Sequence, residues 1–108
     1  SAISALGEKL TELFLIECKC YGDLQMIGLY LGLKTGIHKH WQETLEDARR
    51  HKRWPLLVAR QSRMPTFMLL TRDGLNFFDL KKQVVAHFPA LRVYVLWYAD
   101  FLKTAKRP

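Results

Sequence analysis

The sequence has few cysteines and no long hydrophobic run. Cys18 and Cys20 are the two cysteines among 108 residues. Positions two apart on one strand are poorly placed for a mutual disulfide, and no second Cys or His cluster has zinc-finger spacing. These features argue against a disulfide scaffold and a structural zinc site. On a strand the two side chains share a face, so we expect two free, buried thiols in a reducing compartment.

The longest apolar run, Val93–Ala99, is too short to span a bilayer. The first residues also lack the basic stretch followed by an apolar stretch that is typical of a signal peptide. We therefore expect a soluble, intracellular protein. Hydrophobic residues make up 49% of the chain and charged residues 25%, which predicts one packed domain over residues 1–108. A chain this short buries a modest core, so a homodimer is one arrangement that its length allows.

Acidic residues are scarce: the chain has 10 against 17 Lys and Arg, which gives a net charge of +7. Most of the excess follows residue 54, where nine basic residues face three acidic ones. A basic surface favours a polyanion such as nucleic acid. A surface that only keeps the protein soluble explains the charge equally well.

The pattern of apolar residues predicts alternating strands and helices. The clearest helix runs from Ile37 to Arg53, because Trp41, Leu45 and Ala48 form one apolar stripe and Pro55 follows it. The glycine-rich stretch Tyr21–Gly36 is expected to be a connection. The other predicted elements are a hairpin of Ile3–Leu6 with Leu13–Cys20, strands at Pro55–Arg60, Thr66–Thr71, Leu75–Leu80 and Val93–Tyr98, turns at Gln61–Met64 and Arg72–Gly74, and a helix at Ala99–Ala105.

Glu17 and Lys19 end the first long apolar strand. Being two apart, they should point to one face, about 7 Å apart along the chain. A carboxylate is a ligand for a hard divalent cation, the Cys18 carbonyl could add an oxygen, and a lysine ammonium can orient water and stabilise charge on a phosphate. The alternative is that the strand simply ends in solvent, which would also explain two charged residues at this point.

The ordered segments LFLIECK (residues 13–19), HWQETLEDARRHKRWPLLVAR (40–60) and SRMPTFMLL (62–70) resemble the PD-(D/E)xK nuclease superfamily, and most closely its resolvase-like, phage-type members. The resemblance implies an α/β fold, with a small mixed β-sheet flanked by helices in a restriction-endonuclease-like core. It also implies hydrolysis of DNA phosphodiester bonds with Mg²⁺ or Mn²⁺, on branched or junction DNA among other substrates. The expected location is the cytoplasm of a bacterial or phage-infected cell.

The resemblance assigns roles by position. Glu17 corresponds to a metal-binding acid, Lys19 to the motif lysine and Gln42 to the helix glutamine beside the metal. The family's first acid has no counterpart, since residues 2–7 contain no Asp or Glu. A truncated chain, an inactive relative that only binds nucleic acid, or a substitute acid at Glu8 or Glu12 would each explain this departure.

Several basic residues are candidates for contacts with DNA phosphates. A solvated helix end or strand end is the alternative for each of them. His38 and His40 resemble a metal-binding pair without a third ligand, and Trp41 is expected in the core. The candidate DNA contacts are Arg49, Arg50, Lys52, Arg53, Arg60 and Arg63.

Overall fold

The computed structural model describes residues 12–21, 36–61 and 64–105. The predicted strand Ile3–Leu6, most of the connection Tyr21–Gly36, and Arg63 lie outside these ranges. The described elements follow one another as β1 (Phe14–Tyr21), α1 (Gly36–Arg50), β2 (Trp54–Gln61), β3 (Phe67–Leu70), α2 (Arg72–Phe77), β4 (Ala86–Phe88), β5 (Val93–Trp97) and α3 (Tyr98–Ala105), with short 3-10 helices at Lys81–Gln83 and Pro89–Leu91.

The five strands form one mixed sheet in the order β1-β2-β3-β5-β4. β1 and β2 are parallel, and the remaining neighbours are antiparallel. The parallel pair needs a crossover connection, and α1 lies within it. The expected α/β class, a small mixed sheet with helices, is confirmed.

Helix α1 packs on one face of the sheet through a buried stripe. Ile37, Trp41, Thr44 and Ala48 are buried at intervals of three or four residues, as an amphipathic helix requires. Trp41 is fully buried, which confirms the prediction that it is a core residue, and its indole N–H donates to the Leu91 carbonyl at 3.3 Å. This cluster also includes Leu57, Ala59, Phe67, Leu69, Val93 and Val95.

A second cluster fills the opposite face, where α2 and α3 pack. Phe14 is 1% exposed, and its ring lies within 6 Å of Trp54, Phe77 and Phe78, with centroid distances of 5.4, 5.9 and 5.3 Å. Leu56, Met68, Leu70, Leu75, Leu80, Leu96 and Phe101 complete the cluster.

Helix α1 ends earlier than predicted, and Pro55 is not what ends it. The Arg53 N–H bonds the Ala48 carbonyl at 2.8 Å, and the Lys52 N–H bonds the Arg49 carbonyl at 3.3 Å. These two bonds form a Schellman motif, with Lys52 in the left-handed conformation at φ 55°. Pro55 instead lies at the start of β2.

The predicted turn Arg72–Gly74 and strand Leu75–Leu80 were wrong, because Arg72–Phe77 is helix α2. An Asp-Gly pair usually marks a turn, but here Gly74 is buried inside the helix. A Cβ at Gly74 would lie 3.0 Å from the Phe14 ring and 3.1 Å from a Leu70 methyl. The glycine therefore permits a close approach of α2 to the sheet, and β3 pairs with β5 rather than with the segment that follows it.

The prediction of buried thiols was also wrong, since Cys18 and Cys20 are free but exposed. They share a face of β1 with Phe14 and Ile16. Phe14 is covered by the aromatic cluster, whereas Ile16 is 39% exposed. The packing on this face therefore ends after the first residue of β1.

Candidate nuclease site on the first strand

The side chains of Glu17, Lys19 and Tyr21 form a row on one face of β1. Their spacing of two residues places them on the same side of the strand. The register sets Glu17 beside Leu57 and Lys19 beside Ala59, and both of these neighbours belong to the core cluster under α1. The row therefore lies on the face of the sheet that carries α1.

Glu17 and Lys19 both retain access to solvent. Glu17 is half-buried and Lys19 is exposed. Neither side chain forms an ion pair or hydrogen bond with another described residue. In the part of the chain that the structure describes, their charges are thus available to a ligand.

Tyr21 joins this row to α1. Its hydroxyl lies 2.7 Å from Nδ1 of His40, and the two rings are 5.5 Å apart. Burial, and to a lesser extent the negative charge of Glu43, raise the pKa of Tyr21 to about 12. At neutral pH Tyr21 therefore remains a neutral phenol that fixes the end of β1 against the helix.

This contact was missed by the sequence analysis, although a signal was present. Tyr21 lies two residues beyond Lys19, and so continues the Glu17–Lys19 row. Its partner His40 was considered only as half of a metal pair with His38. Residues two apart on a helix point in directions about 200° apart, so His38 does not share the side of α1 on which His40 contacts β1.

Gln42 is exposed on α1 and is not brought next to Glu17 by any described contact. It lies about 200° around the helix from His40, the residue that faces Tyr21. Leu45 and Arg49, three and seven positions further on, share its side of the helix and line a cleft beside Tyr94 and Arg92. The structure thus brings Glu17 and Lys19 together and leaves Gln42 on the other flank of α1.

The candidate DNA-binding residues are spread over several surfaces. Arg50 contacts Asp47 at 3.5 Å in an exposed ion pair, and Lys52 and Arg53 are exposed after the end of α1. Arg60 pairs in register with Cys20, so its side chain lies on the sheet face opposite Lys19. Arg49 lines the cleft beside Tyr94. The five candidates that the structure describes therefore do not form a single basic patch, and Arg63 lies outside the described residues.

β1 supplies a small number of oxygen ligands for a hard divalent cation. Glu17 offers one carboxylate, and Mg²⁺ is commonly held by one or two carboxylates together with water and substrate phosphates. Within residues 12–21, 36–61 and 64–105 there is no group of three or more His, Cys, Asp or Glu side chains that could hold a metal ion. Glu12, a candidate substitute acid, is exposed, and Glu8 lies outside the described residues.

No helix in the described part of the chain is both long enough and apolar enough to cross a membrane.

Comparison with known proteins gives one match. Residues 3–96 match a family model described as "Phage putative PDDEXK endonuclease". This range contains all five described strands as far as Leu96, together with Glu17, Lys19 and Gln42. Searches of curated proteins and of solved structures found no significant match.

Proposed function

Because the chain belongs to the phage PDDEXK endonuclease family, we propose that it is a metal-dependent endonuclease that hydrolyses phosphodiester bonds in DNA, including branched or junction DNA. The observation that carries the proposal is the pairing of an accessible carboxylate and an accessible ammonium, Glu17 and Lys19, on one face of β1.

Glu17 is proposed as the metal-binding acid. Its carboxylate and the Cys18 carbonyl would hold Mg²⁺ or Mn²⁺, two cations that prefer oxygen ligands. The bound cation would neutralise charge that develops on the scissile phosphate. Glu17 has the ordered backbone of a paired strand beneath it, which limits its motion relative to the substrate.

Lys19 is proposed to act on the phosphate and on the attacking water. Its ammonium has three donors and no described partner, so it can hold a phosphate oxygen and orient water at the same time. The role proposed for Tyr21 is structural: its hydrogen bond to His40 holds the C-terminal end of β1 in place.

The resemblance also supplies a role for Gln42 and for the basic residues. Gln42 is proposed, from the resemblance, to assist catalysis, and its position on the flank of α1 away from Glu17 makes it the assignment that mutation tests most directly. The exposed Lys52 and Arg53 would contact the DNA backbone, together with Arg49, Arg50, Arg60 and Arg63. A homodimer would bring a second set of these residues to a branched substrate, and phage DNA would be met in the cytoplasm of an infected cell.

Cleavage of linear and four-way-branched DNA tests the proposal. The wild type should cut with Mg²⁺ or Mn²⁺ and lose activity in EDTA. Glu17→Gln and Lys19→Met should each lower the rate by about 10²-fold or more. Glu46→Gln is a matched control, because Glu46 is an exposed acid on α1, and it should cut normally.

The proposal is rejected if all variants cut equally well, or if the wild type cuts without a divalent cation. Gln42→Ala tests whether a residue on the flank of α1 away from Glu17 takes part in cleavage. A loss similar to that of Glu17→Gln would place Gln42 at the reacting phosphate, whereas normal cleavage would remove it from the site.

A second candidate function is nucleic-acid binding without cleavage. It is favoured by the missing first acid in residues 2–7 and by the single carboxylate on β1. This function predicts DNA binding that weakens steeply with salt, no cutting by the wild type, and equal affinity for Glu17→Gln. A salt-independent affinity would contradict it.

A further inference from the structure

A basic cleft lies at the end of the sheet opposite Lys19. It has a volume of about 620 Å³, within the range of small-molecule sites. Three arginines from separate elements line it: Arg49 in the last turn of α1, Arg72 at the start of α2, and Arg92 immediately before β5. Residues that are far apart in sequence thus bring three guanidinium groups to one cleft.

The positive charge of the cleft is not neutralised by its own acids. Asp73 is the one carboxylate among the described lining residues, and none of the three arginines forms an ion pair with a described residue. The Arg72 guanidinium donates to the Tyr94 hydroxyl at 3.4 Å, which leaves its other N–H groups available. Guanidinium groups are suited to bidentate contacts with phosphate.

An aromatic pair forms one wall of the same cleft. His87 and Tyr94 face each other across β4 and β5, with ring centroids 4.1 Å apart and an interplanar angle of 4°. His87 is exposed whereas Tyr94 is half-buried. One face of the His87 ring is covered by Tyr94, and the other is available to a flat ring such as a nucleobase.

Two further features belong to this cleft. The Thr71 hydroxyl oxygen is buried and has no hydrogen-bond partner, although buried hydroxyls are normally paired. Arg92 has a left-handed backbone at φ 53°, held by the bond from its N–H to the Pro89 carbonyl at 3.1 Å. This conformation ends the 3-10 helix Pro89–Leu91, as the conformation of Lys52 ends α1, and it fixes the backbone of Arg92 at the edge of the cleft.

We infer that this cleft is a second binding site, which takes a nucleotide unit. Arg49, Arg72 and Arg92 bind its phosphate, and the outer face of His87 stacks on its base. The nucleotide can be free or part of a DNA strand, because both present the same phosphate and base.

The cleft is separate from the Glu17 site. Among the described strands, β1 lies at one edge of the sheet, and β5 lies three strand spacings away, which is about 14 Å. The cleft also flanks the end of the sheet where β1 begins, whereas Lys19 lies near the end of β1. Because a DNA strand advances about 3.4 Å per nucleotide, a strand held at Glu17 would reach the cleft with a nucleotide other than the one at Glu17.

Binding of thymidine 5′-monophosphate, followed by amide chemical shifts in NMR spectra, tests the inference. We expect saturable shifts at His87, Arg92 and Tyr94, with little change at Glu17 and Lys19. Arg72→Gln and Arg92→Gly should each weaken binding about tenfold or more, since each removes a charged hydrogen bond. Glycine accepts the left-handed backbone at position 92, so the second variant removes the charge without new strain.

Lys103→Gln is the matched control, because Lys103 is exposed on α3 outside the cleft, and it should bind within about twofold of the wild type. Equal weakening by Lys103→Gln would mean a general charge effect and would overturn the inference. Glu17→Gln should bind the nucleotide as the wild type does, because Glu17 lies outside the cleft. The cleft can therefore be tested even if the protein proves to have no nuclease activity.

Three ligands distinguish the sources of the nucleotide. A thymidine hexanucleotide that shifts the same amides, when the monophosphate does not, assigns the cleft to a DNA strand, and the reverse result assigns it to free nucleotides. Inorganic phosphate should bind more weakly than either. The inference is overturned if phosphate binds as tightly as both nucleotide ligands, or if neither nucleotide ligand shifts these amides.

Discussion

The Tyr21 hydroxyl lies 2.7 Å from Nδ1 of His40, and this contact joins the end of β1 to the N-terminal half of α1. Tyr21 is the third member of the row that contains Glu17 and Lys19. The distance and orientation between the proposed catalytic strand and α1 therefore depend in part on one partly buried hydrogen bond.

The first prediction concerns the ionisation of Tyr21. Tyrosine absorbance at 295 nm should show one component that titrates near pH 12 in the folded protein and near pH 10 in urea. Tyr21→Phe should lose that component. As the pH rises, the unfolded chain releases the Tyr21 proton before the folded state does. The contribution of Tyr21 to the free energy of unfolding is therefore complete below about pH 10 and is lost as the pH rises to about 12. A wild-type titration identical to that of Tyr21→Phe would contradict the burial of this phenol.

The second prediction concerns the end of α1. Lys52→Gly should raise the free energy of unfolding by about 0.5–1 kcal/mol, because glycine adopts the left-handed C′ conformation without steric cost. Urea denaturation measures the change. The same substitution at the exposed helix residue Lys39 should lower stability by about 1 kcal/mol. Destabilisation by both variants would argue against the Schellman motif.

The third prediction concerns the close approach of α2 to β1. Gly74→Ala should destabilise the protein by about 1 kcal/mol, since crowding against Phe14 and Leu70 exceeds the gain in helix propensity. Asn76→Ala, on an exposed position of the same helix, should be neutral or slightly stabilising. A stabilised Gly74→Ala variant would show that the helix is not packed as closely as these distances indicate.

The fourth prediction concerns the thiols. Cys18 and Cys20 are exposed, so Ellman's reagent should release two equivalents of chromophore from the native protein at a rate close to that in urea. Cys18→Ser and Cys20→Ser should each release one. Thiols that react only after unfolding would restore the original expectation that they are buried.

These elements show which parts of the structure could be predicted from the sequence. β1, α1, β2, β3 and β5 follow from local apolar patterns, and the spacing of Glu17 and Lys19 on a strand sets their common face. These features depend on the backbone geometry of single elements, so they could be read without knowledge of the tertiary packing.

The errors arose where packing between distant residues decides the outcome. Position 74 requires glycine because Phe14, 60 residues earlier in the chain, packs where a Cβ would lie, so the Asp-Gly pair reflects tertiary packing and not a turn. The exposure of Cys18 depends on how far the aromatic cluster extends along β1. The cleft of Arg49, Arg72 and Arg92 combines three segments whose meeting point is set by the sheet order, and no local motif marks it.

The central claim is that Glu17 binds a divalent cation beside Lys19, and the broadening of amide NMR signals by Mn²⁺ tests it most closely. Substoichiometric Mn²⁺ should broaden the signals of residues 17–19 selectively in the wild type, and this selectivity should disappear in Glu17→Gln but persist in Glu46→Gln. Uniform broadening in the wild type, or unchanged selectivity in Glu17→Gln, would contradict the claim.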